Sequence, residues 1–219
     1  MLANIIELFS YHNVIFFIIA SFFIGSIPFG LIITRISGYG DIRKIGSGNI
    51  GATNVLRTGN KFLAILTLCL DLLKSFTILY LVKINFEFKL EENFLILLYA
   101  IIALLSLLGH MFSPFISFKG GKGIATAAGI LFFINWFLAV FTLFIWLIMA
   151  IKFKTSSIGA LTASFICPIL FWFLYKSNFI KNIEISILEV YLVLIITILI
   201  WVKHIPNIKR LIAGTETKI

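Results

Sequence analysis

Three short stretches of this chain hold the residues able to do chemistry. The first runs Gly46-Ser47-Gly48-Asn49-Ile50-Gly51-Ala52-Thr53-Asn54-Val55-Leu56-Arg57. Gly46, Gly48 and Gly51 let the backbone bend so that several N–H groups converge, as in anion-binding nests. Ser47, Asn49, Thr53 and Asn54 add neutral donors, and the planar guanidinium of Arg57 suits a phosphate. The second stretch is Lys119-Gly120-Gly121-Lys122-Gly123-Ile124-Ala125-Thr126. Glycines ahead of a helix start present unpaired N–H groups to an anion, and Lys122 supplies a full charge. Its spacing is not that of a Walker A loop. The third runs from His204 to Glu216, where His204, Asn207 and Arg210 recur every third residue and share one side of a helical turn that Pro206 is placed to start. A flexible loop, an orientation signal and a basic surface tail are the plain alternatives for the three, one each. Together they read as a phosphate site.

Other reactive groups are sparse. Asp71 and Lys74, three apart in an apolar run, pair on one helix face as either a structural ion pair or a polar support for the site. His110, beside Gly109, reads as a hydrogen-bonding support. His12, His110 and His204 are scattered, so no metal site is expected. Cys69 and Cys167 lie far apart in apolar runs and are expected to be buried and unbridged. No Ser-His-Asp set is suggested, and His followed five residues later by Asp does not occur.

The elements that must position these groups are set by composition. Of 219 residues 61% are hydrophobic and 12% charged, against roughly 25% charged in an average soluble domain. A soluble fold of this size cannot hide so much apolar surface, so an all-α integral membrane protein is expected, its partner the lipid bilayer. The net charge of +9 is not gathered in a soluble basic domain, which excludes nucleic acid as a partner. The first twelve residues lack Lys and Arg and no small-residue cleavage site follows, so no signal peptide is expected. Spans of about 20 apolar residues fall at Asn13–Ile36, Phe62–Val82, Phe94–Phe112, Ser156–Tyr175 and Ile187–Val202. The stretch Ile124–Ile151 would make a helix of about 42 Å, too long for one upright span. Asn135 near its middle allows a reversal into two short ones.

Lysine and arginine placement favours the split. The cation-free N-terminus belongs outside, and the tail with Lys203, Lys209, Arg210 and Lys218 belongs in the cytoplasm, which needs an odd count. Seven spans, some short, satisfy this. Lys83, Lys89, Lys176 and Lys181 then lie outside with Glu7, Glu87, Glu91, Glu92, Glu184 and Glu189, and the remaining loop cations lie inside. No linker or repeat appears, so residues 1–219 form a single domain.

The three stretches resemble, in order and spacing, the motifs of the bacterial PlsY-type membrane acyltransferases, which move an acyl group from acyl-phosphate to glycerol 3-phosphate. Ser47–Arg57 resembles their first motif almost letter for letter, Gly109–Gly129 the second and His204–Glu216 the third. Asp71-Leu-Leu-Lys74 and Ser156-Ser-Ile-Gly159 match weaker signatures, while Ser75 and Ile205 depart from the usual Gly and Arg. The resemblance implies a seven-helix fold in the bacterial inner membrane, no cofactor, a site on the cytoplasmic side, and formation of 1-acyl-glycerol 3-phosphate and phosphate. It implies Ser47, Lys122, His204 and Asn207 as catalytic residues. Asn49, Gly51, Ala52, Thr53, Asn54, Arg57, Gly120, Gly121, Gly123, Thr126, Ser157 and Arg210 would bind substrate. The donor phosphate is expected at the N–H groups of Gly51–Thr53 and Gly121–Lys122, with Ser47 and Asn207 as further donors, and the glycerol phosphate at Arg57 and Lys122, with His204, Asn207 and Ser157 placing its hydroxyl. Either His204 or the donor's own phosphate takes the proton, the second route being preferred. The acyl-phosphate-forming enzyme is an implied partner. A transporter of phosphorylated solutes and an enzyme using thioester donors are the competing readings.

Overall fold

The structure, a computed structural model, describes residues 12–177 and 184–219. The expectations placed on Glu7 and Lys181, and that of no signal peptide, lie outside the described residues. Among these the fold is helical throughout, without a strand. The helices are α1 His12–Ser26, α2 Phe29–Ile36, a single turn α3 Ala52–Val55, α4 Lys61–Phe86, α5 Glu92–Met111, α6 Ile124–Ile134, α7 Trp136–Phe153, α8 Ser156–Ser177 and α9 Ile187–Ile212. By length and composition α4, α5, α7, α8 and α9 can each cross a membrane, and α1–α2 makes a sixth if the bent pair counts as one span.

The first apolar run does not stay straight. It bends by 45° between Ser26 and Phe29, because Pro28 has no N–H to donate and disfavours helix at Ile27. Carbonyls freed by the break need partners where water is absent. Ser113 Oγ donates to Ser26 O at 2.6 Å and Lys74 Nζ to Ile27 O at 3.2 Å. The run Ile124–Ile151 does break at Asn135, which leaves the helical conformation and caps α7 by accepting from Leu138 N at 3.0 Å. The 11-residue α6 is about 16 Å long, half the hydrocarbon thickness. It packs on α4, whereas α7 packs on α8.

The last helix differs most from expectation. It runs ten residues past Val202 to Ile212, with Pro206 inside it rather than at the start of a separate turn. Proline is tolerated inside membrane helices when neighbours compensate, and here His204 and Asn207 on either side are both buried. At its start Ser186 and Glu189 form a reciprocal capping box.

Glycine sets the helix crossings. A side-chain carbon at Gly25 would meet the Ser106 backbone of α5, one at Gly109 the Phe22 carbonyl of α1, and one at Gly129 the Leu72 carbonyl of α4. Backbones therefore approach closely, as small residues permit between membrane helices. Above them Leu79, Leu98, Ile102, Ile130 and Ile196 fill a core shared by α4, α5, α6 and α9. Large apolar side chains such as Phe62, Phe144, Trp172 and Ile198 face outward. Cys167 is buried as expected, but Cys69 is exposed: in a membrane helix the outward face is apolar too, so an apolar run does not imply burial.

Candidate active site

The first loop is organised by one amide. Asn54 is 2% exposed, and its Nδ2 donates to the carbonyls of Ile42, Ile45 and Asn49 at 2.8–3.0 Å. Its Oδ1 accepts from Ser47 N at 3.0 Å, Ser47 Oγ at 3.3 Å and Arg57 Nη1 at 3.0 Å. Both ends are occupied, so Asn54 shapes the loop and leaves substrate to its neighbours. Gly46 sits at φ +55° against Asn54 and Arg57, where a side chain would collide with both. Thr53 Oγ1 and Ser156 Oγ lie 3.2 Å apart and join this loop to the start of α8.

The second loop is fixed from below. Gly121 N–H donates to His110 O at 3.0 Å, and a side chain at Gly121 would strike the His110 imidazole. Gly121 is thus a close-approach glycine whose N–H is already used, not an anion-nest donor. His110 is itself held by Lys74, whose Nζ lies 2.8 Å from His110 Nδ1 and 2.8 Å from Asp71 Oδ1. With the Ile27 carbonyl these exhaust the three donors of an ammonium group. The D-x-x-K pair is therefore at once a buried ion pair and a support for the Lys122 loop.

The third stretch delivers its side chains from the last turns of α9. His204 Nδ1 lies 2.8 Å from Ile200 O. A carbonyl only accepts, so the proton is on Nδ1 and Nε2 is left as an acceptor. Asn207 Nδ2 donates to Glu216 Oε1 at 2.6 Å, Ser157 Oγ donates to the same oxygen at 2.8 Å, and Arg210 Nε donates to Glu216 Oε2 at 2.6 Å. The tail after α9 turns at Gly214, φ +68°, and folds back as a strap. Thr217 Oγ1 accepts from Arg57 Nη2 at 2.6 Å, and Ile219 N–H donates to Lys154 O at 2.9 Å.

These three stretches and the start of α8 surround one cavity of about 420 Å³. Its polar lining includes Ser47, Arg57, Lys61, Asp71, His110, Lys122, Ser157, His204 and Asn207, and its apolar lining Leu56, Ala64, Ile65, Leu68 and Ile124. Burial draws the Lys122 ammonium down to about 8, with Arg210 and Arg57 adding repulsion against the pull of Glu216. Burial alone would raise the Glu216 carboxyl, but hydrogen bonds from Asn207, Arg210 and Ser157 outweigh it and hold the group below its ordinary value. Cationic and apolar side chains lining one cavity fit an anion carrying a fatty chain. Among the described residues no cluster of His, Cys, Asp and Glu suits a metal ion.

Residues 15–214 match the family model described as Glycerol-3-phosphate acyltransferase. The chain belongs to that family. It is 46% identical over 209 residues to the glycerol-3-phosphate acyltransferase of Mesorhizobium japonicum, covering 95% of this chain and 97% of the relative. It is 43% identical to that of Ehrlichia canis, covering 92% and 96%. Its fold is similar to the crystal structure of PlsY, an integral membrane glycerol 3-phosphate acyltransferase, in the glycerol 3-phosphate form, with a TM-score of 0.80, 33% identity and coverage of 94% and 96%. The lysophosphatidic acid form of PlsY gives a TM-score of 0.78 at 32% identity, covering 94% and 95%.

Within this family member, most of the residues singled out in the sequence meet at the cavity: Ser47, Asn49, Gly51, Ala52, Thr53, Asn54, Arg57, Lys122, Gly123, Ser157, His204 and Asn207. Gly120, Gly121, Thr126 and Arg210 are not part of its lining. Gly120 lies where a side chain would strike the backbone of His110 and Met111, Thr126 is buried on α6, and Arg210 bears on the site through its ion pair with Glu216 and its repulsion of Lys122. Sequence reasoning passed over Glu216, naming it only as the end of the third stretch. Its spacing from Arg210 was the available signal.

Proposed function

We propose that this chain transfers a fatty acyl group from acyl-phosphate to the 1-hydroxyl of glycerol 3-phosphate, forming 1-acyl-glycerol 3-phosphate and phosphate. The observation that carries this reading is one cavity lined by Arg57, Lys122, His204 and Asn207 together with apolar side chains. Arg57 and Lys122 hold the glycerol phosphate. The donor phosphate lies against Ser47 and the backbone of Gly51–Thr53, with its chain along Leu56, Ala64 and Leu68.

In the chemical step the glycerol oxygen attacks the acyl carbon, the bond from that carbon to the phosphate oxygen breaks, and the hydroxyl proton passes to the departing phosphate. Donors already in place stabilise both the oxyanion and the leaving group, and holding two substrates together supplies much of the remainder. Acyl-phosphate carries a good leaving group, so His204 orients the hydroxyl through Nε2 and need not become an imidazolium.

One domain of seven spans, counting α1–α2 as one and the 11-residue α6 as a short one beside α7, puts the N-terminus outside and the basic tail in the cytoplasm. The cavity then opens to the cytoplasmic face of the inner membrane, where the acyl-phosphate-forming enzyme delivers the donor. The test offers the purified protein acyl-phosphate, acyl-CoA or acyl carrier protein together with glycerol 3-phosphate. Lysophosphatidate from acyl-phosphate is the expected result. Product from a thioester alone overturns the donor, and no product from any donor overturns the activity.

A further inference from the structure

A second, smaller cavity of about 50 Å³ lies among α6, α7, α8 and α9. On each of these helices its lining residues are spaced three, four and seven apart, one stripe per helix. The stripes begin at Ile124, Trp146, Ala160 and Ile200 and end two turns away at Leu131, Ala139, Cys167 and Val193. The cavity therefore lies in a shaft about 10 Å long that runs along the four helices. Its upper end meets the catalytic cavity, because Ile124, Trp146 and Ala160 line both. Its lower end is shut, because Leu131, Ala139, Cys167 and Val193 all belong to one packed cluster with the fully buried Phe171.

The shaft suits neither water nor an ion. Ser164 Oγ donates to Leu161 O at 3.1 Å and Thr197 Oγ1 to Ser164 O at 2.8 Å, while Thr142 Oγ1 and Trp146 Nε1 are shut off by burial. A buried water needs roughly two to four polar partners, and the lining does not offer them. Ala127, Ala128 and Ala163 leave the space by standing at middle positions of the stripes. At about 10–15 Å³ each, it takes roughly four methylene groups. Empty apolar space inside a bundle costs stability, and this space opens onto the site where an acyl carbon would react. We infer that the shaft binds the far part of the donor's saturated acyl chain, and that its floor sets the chain length the protein accepts. Beyond Leu68 the chain passes Ile124 and Trp146 and runs down between the four helices rather than out into the bilayer. The inference rests on the acyl transfer proposed above, whichever group carries the chain.

Filling the shaft and deepening it test this in opposite directions. Ala163→Leu occupies its middle from α8. Each methylene kept out forfeits about fourfold, so kcat/KM for tetradecanoyl phosphate falls at least about tenfold. Hexanoyl phosphate, whose chain ends near the doorway, stays within about twofold of wild type. Leu131→Ala lowers the floor instead, and raises the ratio of kcat/KM for octadecanoyl over tetradecanoyl phosphate by at least about fourfold. Thermal unfolding in detergent confirms that each variant is folded.

Photolabelling supplies a readout that needs no turnover. Tetradecyl phosphate carrying a diazirine at the far end of its chain is expected to label peptides with Leu131, Cys167 or Val193 in wild type, and to lose those sites in Ala163→Leu. A folded Ala163→Leu that slows both donors alike, or neither, overturns the inference. If Ala163→Leu does not fold, Leu131→Ala decides, and an unchanged length ratio overturns it. So does label on the outward residues of α4 around Leu68, which would send the chain into the bilayer. Absence of product from wild type with every donor would strike the activity reading instead, and the labelled positions would still decide whether the shaft takes an alkyl chain.

Discussion

Lys122 and Arg57 are two of the cations that line the cavity, and their surroundings differ. Arg57 already leans on Asn54 and Thr217. Lys122 is drawn down to about 8 by burial, so its charge is titratable in the working range. If the charged form holds the glycerol phosphate, kcat/KM for glycerol 3-phosphate is level below about pH 8 and falls above it as Lys122 loses its proton. A bound dianion stabilises the ammonium, so kcat at saturation declines only at higher pH. Lys122→Arg lowers the plateau but removes the falling limb, and Lys122→Ala abolishes turnover. A limb still centred near 8 in Lys122→Arg would assign it to another group. The pH–rate profile of the two proteins checks this.

At the scale of elements, the hub of Asp71, Lys74 and His110 explains how helices far apart in sequence agree on one site. Lys74 joins α4 to the break between α1 and α2 and to the end of α5, and His110 carries the contact on to Gly121, next to Lys122. The Asp71 and Lys74 side chains are 3% and 2% exposed, so removing one leaves the other charged and unpaired. Lys74→Met is expected to destabilise by about 3–5 kcal/mol, whereas Asp71→Asn/Lys74→Met removes both charges and recovers part of it. Thermal unfolding in detergent reads the difference, and equal melting of the single and double variants would contradict the hub.

How much of this was legible beforehand follows from what each feature depends on. The apolar runs, the break at Asn135 and the convergence of the three polar stretches were readable, because they rest on composition and local spacing. The bend at Pro28 was not called, although proline announced it, since the run's hydropathy is unbroken. The extension of α9 through Pro206 was missed because local chemistry favours a fresh start there, and only packing of His204 and Asn207 overrides it. Gly120 and Gly121 read as nest glycines because close approach and anion binding use the same residue. Glu216 closes the site only once the chain turns at Gly214, a tertiary fact.

For the whole molecule, orientation and chemistry are linked through the placement of charge. The seven-span reading puts the loop between α4 and α5 outside and the α7–α8 connection inside with the cavity. A single cysteine at Lys89, in a background with Cys69 and Cys167 replaced by serine and alanine, is expected to react with a membrane-impermeant thiol reagent in intact spheroplasts. One at Lys152 is expected to react only after the membrane is opened. The reverse pattern would place the cavity on the wrong side for a cytoplasmic donor. On the proposed reading the sequence's basic excess divides into an orientation signal and a part, Arg57 and Lys122, that binds substrate.

The central claim is that acyl-phosphate is the donor and its phosphate the leaving group. The direct measurement follows phosphate release and lysophosphatidate formation together, with purified protein, acyl-phosphate and glycerol 3-phosphate. One phosphate for each lysophosphatidate, neither formed by Lys122→Ala and neither formed without glycerol 3-phosphate, is the predicted result. Phosphate released without the acylated product, or the acylated product formed only when a thioester is supplied, would contradict it.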